Sequence, residues 1–492
     1  MDLPTAVTHD DDKSCRLGAS IFLSFAFLMG VSQALSPVSM ILAQILVAAA
    51  IAVTIVTFIA GDSRALAIAL ILISLTRMTI PSTDREFQEL LLPPLSGLLL
   101  LKSVRQRGLR SLAVTNFAIL YFAICIVAFF SGLKGPQGVF SSVVGESSGF
   151  RARWTLISTV VLFFSIRSSF SPKSISRLLR LLVKFYVAII IVCFAMLVFG
   201  IDTLPLFNTF SWSVLHETPT SSRFGILGAA ALSLSTILLP SPMGFVSRGR
   251  GALIAMAFAG VILSGGRGTL FAFFIVCLLW YAMKNGKIVR TAVIGFITIV
   301  GLIIFSNSIF VTYLPSSIQR QFILLPSEIY EDSVPQISKE AAASSSSWRY
   351  AIWALAIDKI LENPITGTGF GLPSGIPAQD QTDGETSVND FLVMGNTHNT
   401  FISIAYIMGI PAMLVFASWL VYLFVCVNRL WITSNTQMKM QAAWLFLLLV
   451  SQVVNAFSSD IHTGFEFIIA VAITESLLGE RSTSVSAVKE AR

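Results

Sequence analysis

The chain has 492 residues, of which 55% are hydrophobic and only 12% charged, with a formal net charge of +7 and a mean hydropathy of +0.80. An ordinary soluble domain carries about 25% charged residues, so a water-soluble globule is excluded and embedding in a membrane is expected. The positive excess reads as cytoplasmic anchoring charge; no C2H2, RNP-like or long basic helical pattern points to nucleic acid.

The N-terminal stretch MDLPTAVTHDDDKSCR lacks a basic leader and is read as preceding a retained span. Apolar runs then predict spans from about Leu17 to Gln33, Pro37 to Ala60, Ala65 to Ile80, and Phe87 to Leu101, the last holding Pro93 and Pro94. They continue at Leu112 to Phe130, Trp154 to Ser165 or a little beyond, Leu181 to Gly200, Phe224 to Leu239, Gly251 to Leu263, Gly268 to Ala282 and Thr291 to Phe305. After a long polar loop come Phe401 to Val427, Ala442 to Val454 and about Gly464 to Leu478. The expected fold is an all-α, polytopic integral membrane helical bundle with about 12–14 transmembrane helices and one large external loop. The expected organisation is a cytoplasmic tail over 1–16, a first helical bundle over 17–306, the loop over 307–398, C-terminal spans over 399–479 and a cytoplasmic tail over 480–492.

Basic links such as KSVRQRGLR, the stretch from Arg167 to Arg180, SRGR and KNGKIVR fall on one side, which the positive-inside rule makes cytoplasmic. The loop then falls outside, and from Ser308 to His398 it carries four Lys or Arg against ten Asp or Glu. Within it SWRYAIWALAIDKILEN predicts an amphipathic helix from Trp348, Ile352, Leu355, Ile360 and Leu361, capped by the preceding serines and stopped by Pro364. Such a helix would lie on the membrane surface or cover a cavity. TGTGFG follows as a turn where backbone can approach a ligand.

Four groups are expected at the outer face: Arg223, Arg267, Arg349 and His398. A guanidinium stays charged and grips phosphate oxygens with two parallel hydrogen bonds, so three arginines suit a diphosphate. Arginines that snorkel to lipid headgroups account for the same residues about as well. His398, in GNTHNTF, can titrate near neutrality and accept a proton from a hydroxyl, or simply sit at the interface. His216 and His462 are lesser candidates. None of the five cysteines, Cys15, Cys125, Cys193, Cys277 and Cys426, forms a CxxC pair, so no disulfide framework is expected, and no HExxH, EF-hand or His/Cys cluster supports a metal site. SGGRG and GTGFG lack the strand–turn–helix setting of nucleotide motifs, and the acidic stretch from Asp380 to Asp390 reads as a solvated loop.

Four features together resemble the O-antigen ligase and polymerase superfamily of bacterial envelope enzymes, closest to members that polymerise exopolysaccharide. They are SSRFGILGAAALSL around Arg223, the span pair meeting at SGGRG, WRYAIWALAIDKILENPITGTGFG followed by THNTFISIAYIMGIPAML, and the plan of many spans with one late external loop. The motifs fall mostly between 220 and 427. The resemblance implies that Arg223, Arg267 and Arg349 hold the pyrophosphate of an undecaprenyl-diphosphate-linked glycan donor. It implies that His398 activates the hydroxyl of a glycan or lipid acceptor, with Trp353, Gly367, Gly369 and Asn399 in support. It also implies a multi-pass protein of the bacterial inner membrane, no cofactor or catalytic metal, and partners among polysaccharide assembly and export proteins. The chain departs from the pattern at Gly266-Arg267, where many members have Ser-Arg, and in the acidic insert over 371–394. A transporter or flippase of a lipid-linked sugar or small solute is the alternative reading, and a non-catalytic assembly protein a third.

Overall fold

The computed structural model describes residues 9–35, 63–76, 87–108, 114–131, 148–170, 267–285, 336–369, 397–434, 436–457 and 467–478, with further helical positions between 174 and 191 and single ones at 255, 293 and 295. Among the described residues all regular structure is helical. The expected spans Pro37 to Ala60, Phe224 to Leu239, Gly251 to Leu263 and Thr291 to Phe305 lie essentially outside them, as do the 371–394 insert, His216 and His462.

The first half is a layer of tightly packed helices. Helix α1 (His9–Leu35) begins eight residues before the expected span, with Asp10 to Asp12 at the end where the helix dipole favours negative charge. It packs on α2 (Ser63–Thr76), which leans on α3 (Phe87–Arg107). Gly18 permits the first contact: a Cβ there would lie 2.6 Å from the Ala65 carbonyl. Helix α3 runs through Pro93 and Pro94 and continues past the expected end at Leu101. It packs on α5 (Ser148–Ser169). Hydroxyls hold that pair: Ser165 Oγ donates to the Ser96 carbonyl at 2.6 Å, and Ser103 and Ser169 share a hydrogen bond of 3.0 Å. Small polar residues that bond across apolar helices are a general device for helix association in lipid.

The second half centres on α9 (Ile410–Thr433), against which α4 (Asn116–Ser131), α8 (Thr400–Met408) and α10 (Thr436–Ala456) pack. Helix α6 (Arg267–Asn285) lies on α10, and α7 (Gln336–Glu362) lies on α8. The last described helix is α11 (Phe467–Leu478). Trp419 of α9 is fully buried, with ring centroids 5.8, 5.5 and 5.8 Å from Tyr121, Phe122 and Phe163, so aromatic packing joins α4, α5 and α9.

Two expectations change. Helix α7 starts at Gln336 and takes the serine run inside it, so Ser344 to Ser347 do not cap it; the preceding KEAAA is strong helix former and nucleates upstream. The single span expected from Phe401 to Val427 is two helices broken at Gly409, because the Pro411 ring cannot follow an uninterrupted turn and Gly409 takes φ +88°. Among the described residues one helix, Ile410–Thr433, is long and apolar enough to cross a membrane, and six other apolar stretches are shorter.

Candidate functional site

The site is built where α7 meets the break between α8 and α9. A broken helix leaves carbonyls at one end and N–H groups at the other without partners. Residues 364–369 supply them. Thr368 N–H donates to Tyr406 O at 2.7 Å and Gly369 N–H to Ile407 O at 3.0 Å, while Ile410 N–H donates to Pro364 O at 2.8 Å. The fit leaves no room for side chains. A Cβ on Gly367 would lie 2.6 Å from Ile407 O, and one on Gly409 would collide with the Ile365 carbonyl. The close approach Gly367 makes is thus to the α8 backbone; Gly369, at φ +76°, faces open space.

At the other end of α8 the chain enters through Thr397, His398 and Asn399. Thr397 is fully buried, its Oγ1 bonded to Asn399 O at 2.9 Å and to Ser403 Oγ at 2.8 Å. Trp353 reaches across from α7, its Nε1 donating to Thr397 O at 2.8 Å. Asn399 caps α8, its Oδ1 accepting from Phe401 N at 3.0 Å and Ile402 N at 3.2 Å. Between these two anchors His398 takes φ +52°, the one non-glycine in the left-handed region among the described residues. Loss of normal backbone freedom at one polar residue, held by bonds on both sides, is strain of the kind functional sites retain.

His398 is half-buried, and the charge of half-buried Arg349 acts on it. Burial first, and then Arg349, lower its pKa to about 4, so the imidazole is neutral at pH 7 rather than poised there. Burial also lowers the pKa of Arg349. Arg349 and His398, 49 positions apart in the chain, are therefore brought together. Arg267 is the first residue of α6, with its side chain outside the described set, and Arg223 lies outside it altogether.

Residues 251–417 match the family model described as O-Antigen ligase. This match supports classifying the chain in the O-antigen ligase and polysaccharide polymerase superfamily. The matched stretch takes in α6, α7, α8 and the start of α9, and so contains Arg267, Arg349 and His398 but not Arg223. The match supports a membrane-associated role in polysaccharide ligation or polymerisation, with lipid-linked glycans as the general substrate class. Among curated proteins none matches this chain.

A second polar cluster escaped the sequence reading. Glu475 of α11 is 2% exposed and accepts hydrogen bonds from Trp419 Nε1 at 2.9 Å, Thr115 Oγ1 at 2.6 Å and Thr115 N at 3.3 Å. Its charge acts on Arg167 of α5, whose buried Nε finds no acceptor among the described residues. Arg167, expected in a basic cytoplasmic link, is thus drawn inward. The available signal was an acidic residue, Glu475, inside an apolar run, which in a membrane protein marks a partnered charge.

Proposed function

We propose that the chain is a multi-pass glycosyltransferase that polymerises or ligates polyprenyl-diphosphate-linked glycan units on the outer face of the bacterial inner membrane. The observation that carries this reading is the strained, neutral His398 beside Arg349 within the O-antigen ligase segment. Arg349, with Arg267 and Arg223, holds the donor diphosphate. The acceptor hydroxyl oxygen attacks the anomeric carbon, the bond from that carbon to the diphosphate oxygen breaks, and the polyprenyl diphosphate leaves with the bonding pair. His398 takes the hydroxyl proton.

The charges make this order of events sensible. With the site empty, Arg349 disfavours a second positive charge, and a base with a pKa of about 4 is weak. A bound diphosphate offsets Arg349 and favours the imidazolium, so donor binding raises the basicity of His398. The base is strengthened only when a donor is present, and the leaving diphosphate is stabilised by the same arginines.

The deciding experiment is reconstitution of the purified protein in liposomes with an undecaprenyl-diphosphate-linked oligosaccharide. Chain lengthening is expected of a polymerase, and transfer to a different glycolipid of a ligase. Movement of the donor between leaflets with no new glycosidic bond would overturn the enzyme reading in favour of a flippase.

A further inference from the structure

Helix α7 has two apolar faces, and α8 covers only one. Ile352, Ala356 and Ile360 are buried at 0, 0 and 7% exposure on the covered face. Tyr350, Ile357 and Leu361 are 66, 46 and 68% exposed, and Ile365, just beyond the helix, is 72% exposed. Together with exposed Ala354 they recur every three or four residues, so they form one stripe along the helix. The charges are segregated from it. Asp358 and Glu362 are exposed, and Lys359 bridges Glu362 at 2.8 Å, on the arc that flanks the stripe on one side. A helix standing free in water would not keep such a stripe bare beside a covered apolar face.

The place where α7 ends says what covers the stripe. Pro364 O accepts from Ile410 N–H, and Ile410 is the first residue of the helix long and apolar enough to cross a membrane. The end of α7 is therefore tied to the level at which α9 enters the bilayer, and Leu361 and Ile365 stand at that level. On α9 itself Leu414, Val421 and Val425 are exposed at 56, 62 and 60%, an apolar surface turned outward from the packed core.

We infer that α7 is an interfacial helix that sinks Tyr350, Ile357, Leu361 and Ile365 into the acyl chains of the leaflet at the N-terminal end of α9, with Asp358, Lys359 and Glu362 in water. The occupant of the stripe is bilayer lipid. This deepens the glycosyltransferase reading: a lipid-linked donor diffusing in that leaflet meets Arg349 from the side, without leaving the membrane.

The test places a fluorescent non-canonical amino acid at 357, 361 or 358 in the full chain, reconstituted in nanodiscs of phosphatidylcholine brominated along its acyl chains. Quenching of about twofold or more at 357 and 361, with little at 358, is expected for a helix sunk about 5–10 Å below the headgroups. Equal, weak quenching at all three positions would overturn the inference, as would a shielded but unquenched probe at 357 and 361, which signals a protein cover. Quenching requires no turnover, so the position of the helix and the enzyme reading fail separately. Loss of quenching leaves a transfer assay informative, and absence of transfer leaves the quenching result standing.

Discussion

The His398 corner and the Glu475 cluster are both polar places in an apolar chain, and they are built on opposite principles. At Glu475 a buried carboxylate gathers donors from α9 and from the entry to α4, and its charge acts on Arg167 of α5. At His398 the neighbours Thr397 and Asn399 carry the structural bonds, and the neutral imidazole sits half-exposed in a strained backbone under the charge of Arg349. One place spends its polar groups on packing. The other packs Thr397 and Asn399 so that His398 is held in a strained backbone under the charge of Arg349. Polarity in such a chain does not by itself mark function; the distribution of hydrogen bonds around it does.

The largest separation of the two should come from His398→Asn, which keeps a residue tolerant of the left-handed backbone. Reconstituted transfer should fall by about 10²- to 10⁴-fold, the usual worth of a general base, with the thermal midpoint nearly unmoved. Full transfer by the inserted variant would reduce His398 to a structural turn. Glu475→Leu should do the reverse at comparable scale. It leaves Trp419 Nε1 and Thr115 without their acceptor and Arg167 without the opposite charge that acts on it, and loss of one buried partner costs about 3–5 kcal/mol. Thermal unfolding should report a large drop, and a wild-type midpoint would dissolve the cluster; Glu475→Gln, which keeps an acceptor oxygen, should be milder.

A pH titration sharpens the contrast. His398 has a folded pKa of about 4 against an ordinary 6.5, so between those values the unfolded chain binds the extra proton. Its contribution is complete above pH 6.5, falls by at most about 1.4 kcal/mol per pH unit on acidification, and is exhausted below about pH 4. His398→Asn should abolish that part of the slope, and an identical acid profile in the variant would contradict the burial argument. Gly409→Ala puts a methyl against the Ile365 carbonyl at φ +88° and should cost about 1–3 kcal/mol, read from the same melts. The smallest effect is expected of Trp353→Phe, which removes one hydrogen bond worth about 1 kcal/mol. Its signature is a lower kcat with KM kept, since Thr397 is loosened while Arg349 is not; a pure stability change would make Trp353 a packing residue only.

Much of the fold was legible because apolar runs and helix stops are local signals. The end of α7 at Glu362 before Pro364 follows from proline chemistry, and the starts of α2, α3 and α6 fall within about two residues of expectation. The break at Gly409 was not seen. Its sequence, IMGIPAML, is as hydrophobic as any span, and the groups that make the break tolerable come from residues 364–369, some forty positions away. Of the site, Arg349 and His398 could be named as residue types suited to diphosphate and proton transfer, but the lowered titration of His398 depends on burial that no local pattern encodes. Glu475 was overlooked for a related reason: one carboxylate near the end of a run is invisible to averaging, and its meaning lies in Thr115, Trp419 and Arg167.

The interlock of Gly367 with α8 and of Gly409 with Ile365 has a kinematic consequence. Helix α8 is a lever arm only about 14 Å long at 1.5 Å per residue, clamped at its fulcrum with no slack for a methyl group. Such a joint transmits motion without flexing. Any tilt of α9 is delivered through that arm to the imidazole, and α7 must travel with it, so whatever opens this corner to a substrate moves three helices as one piece.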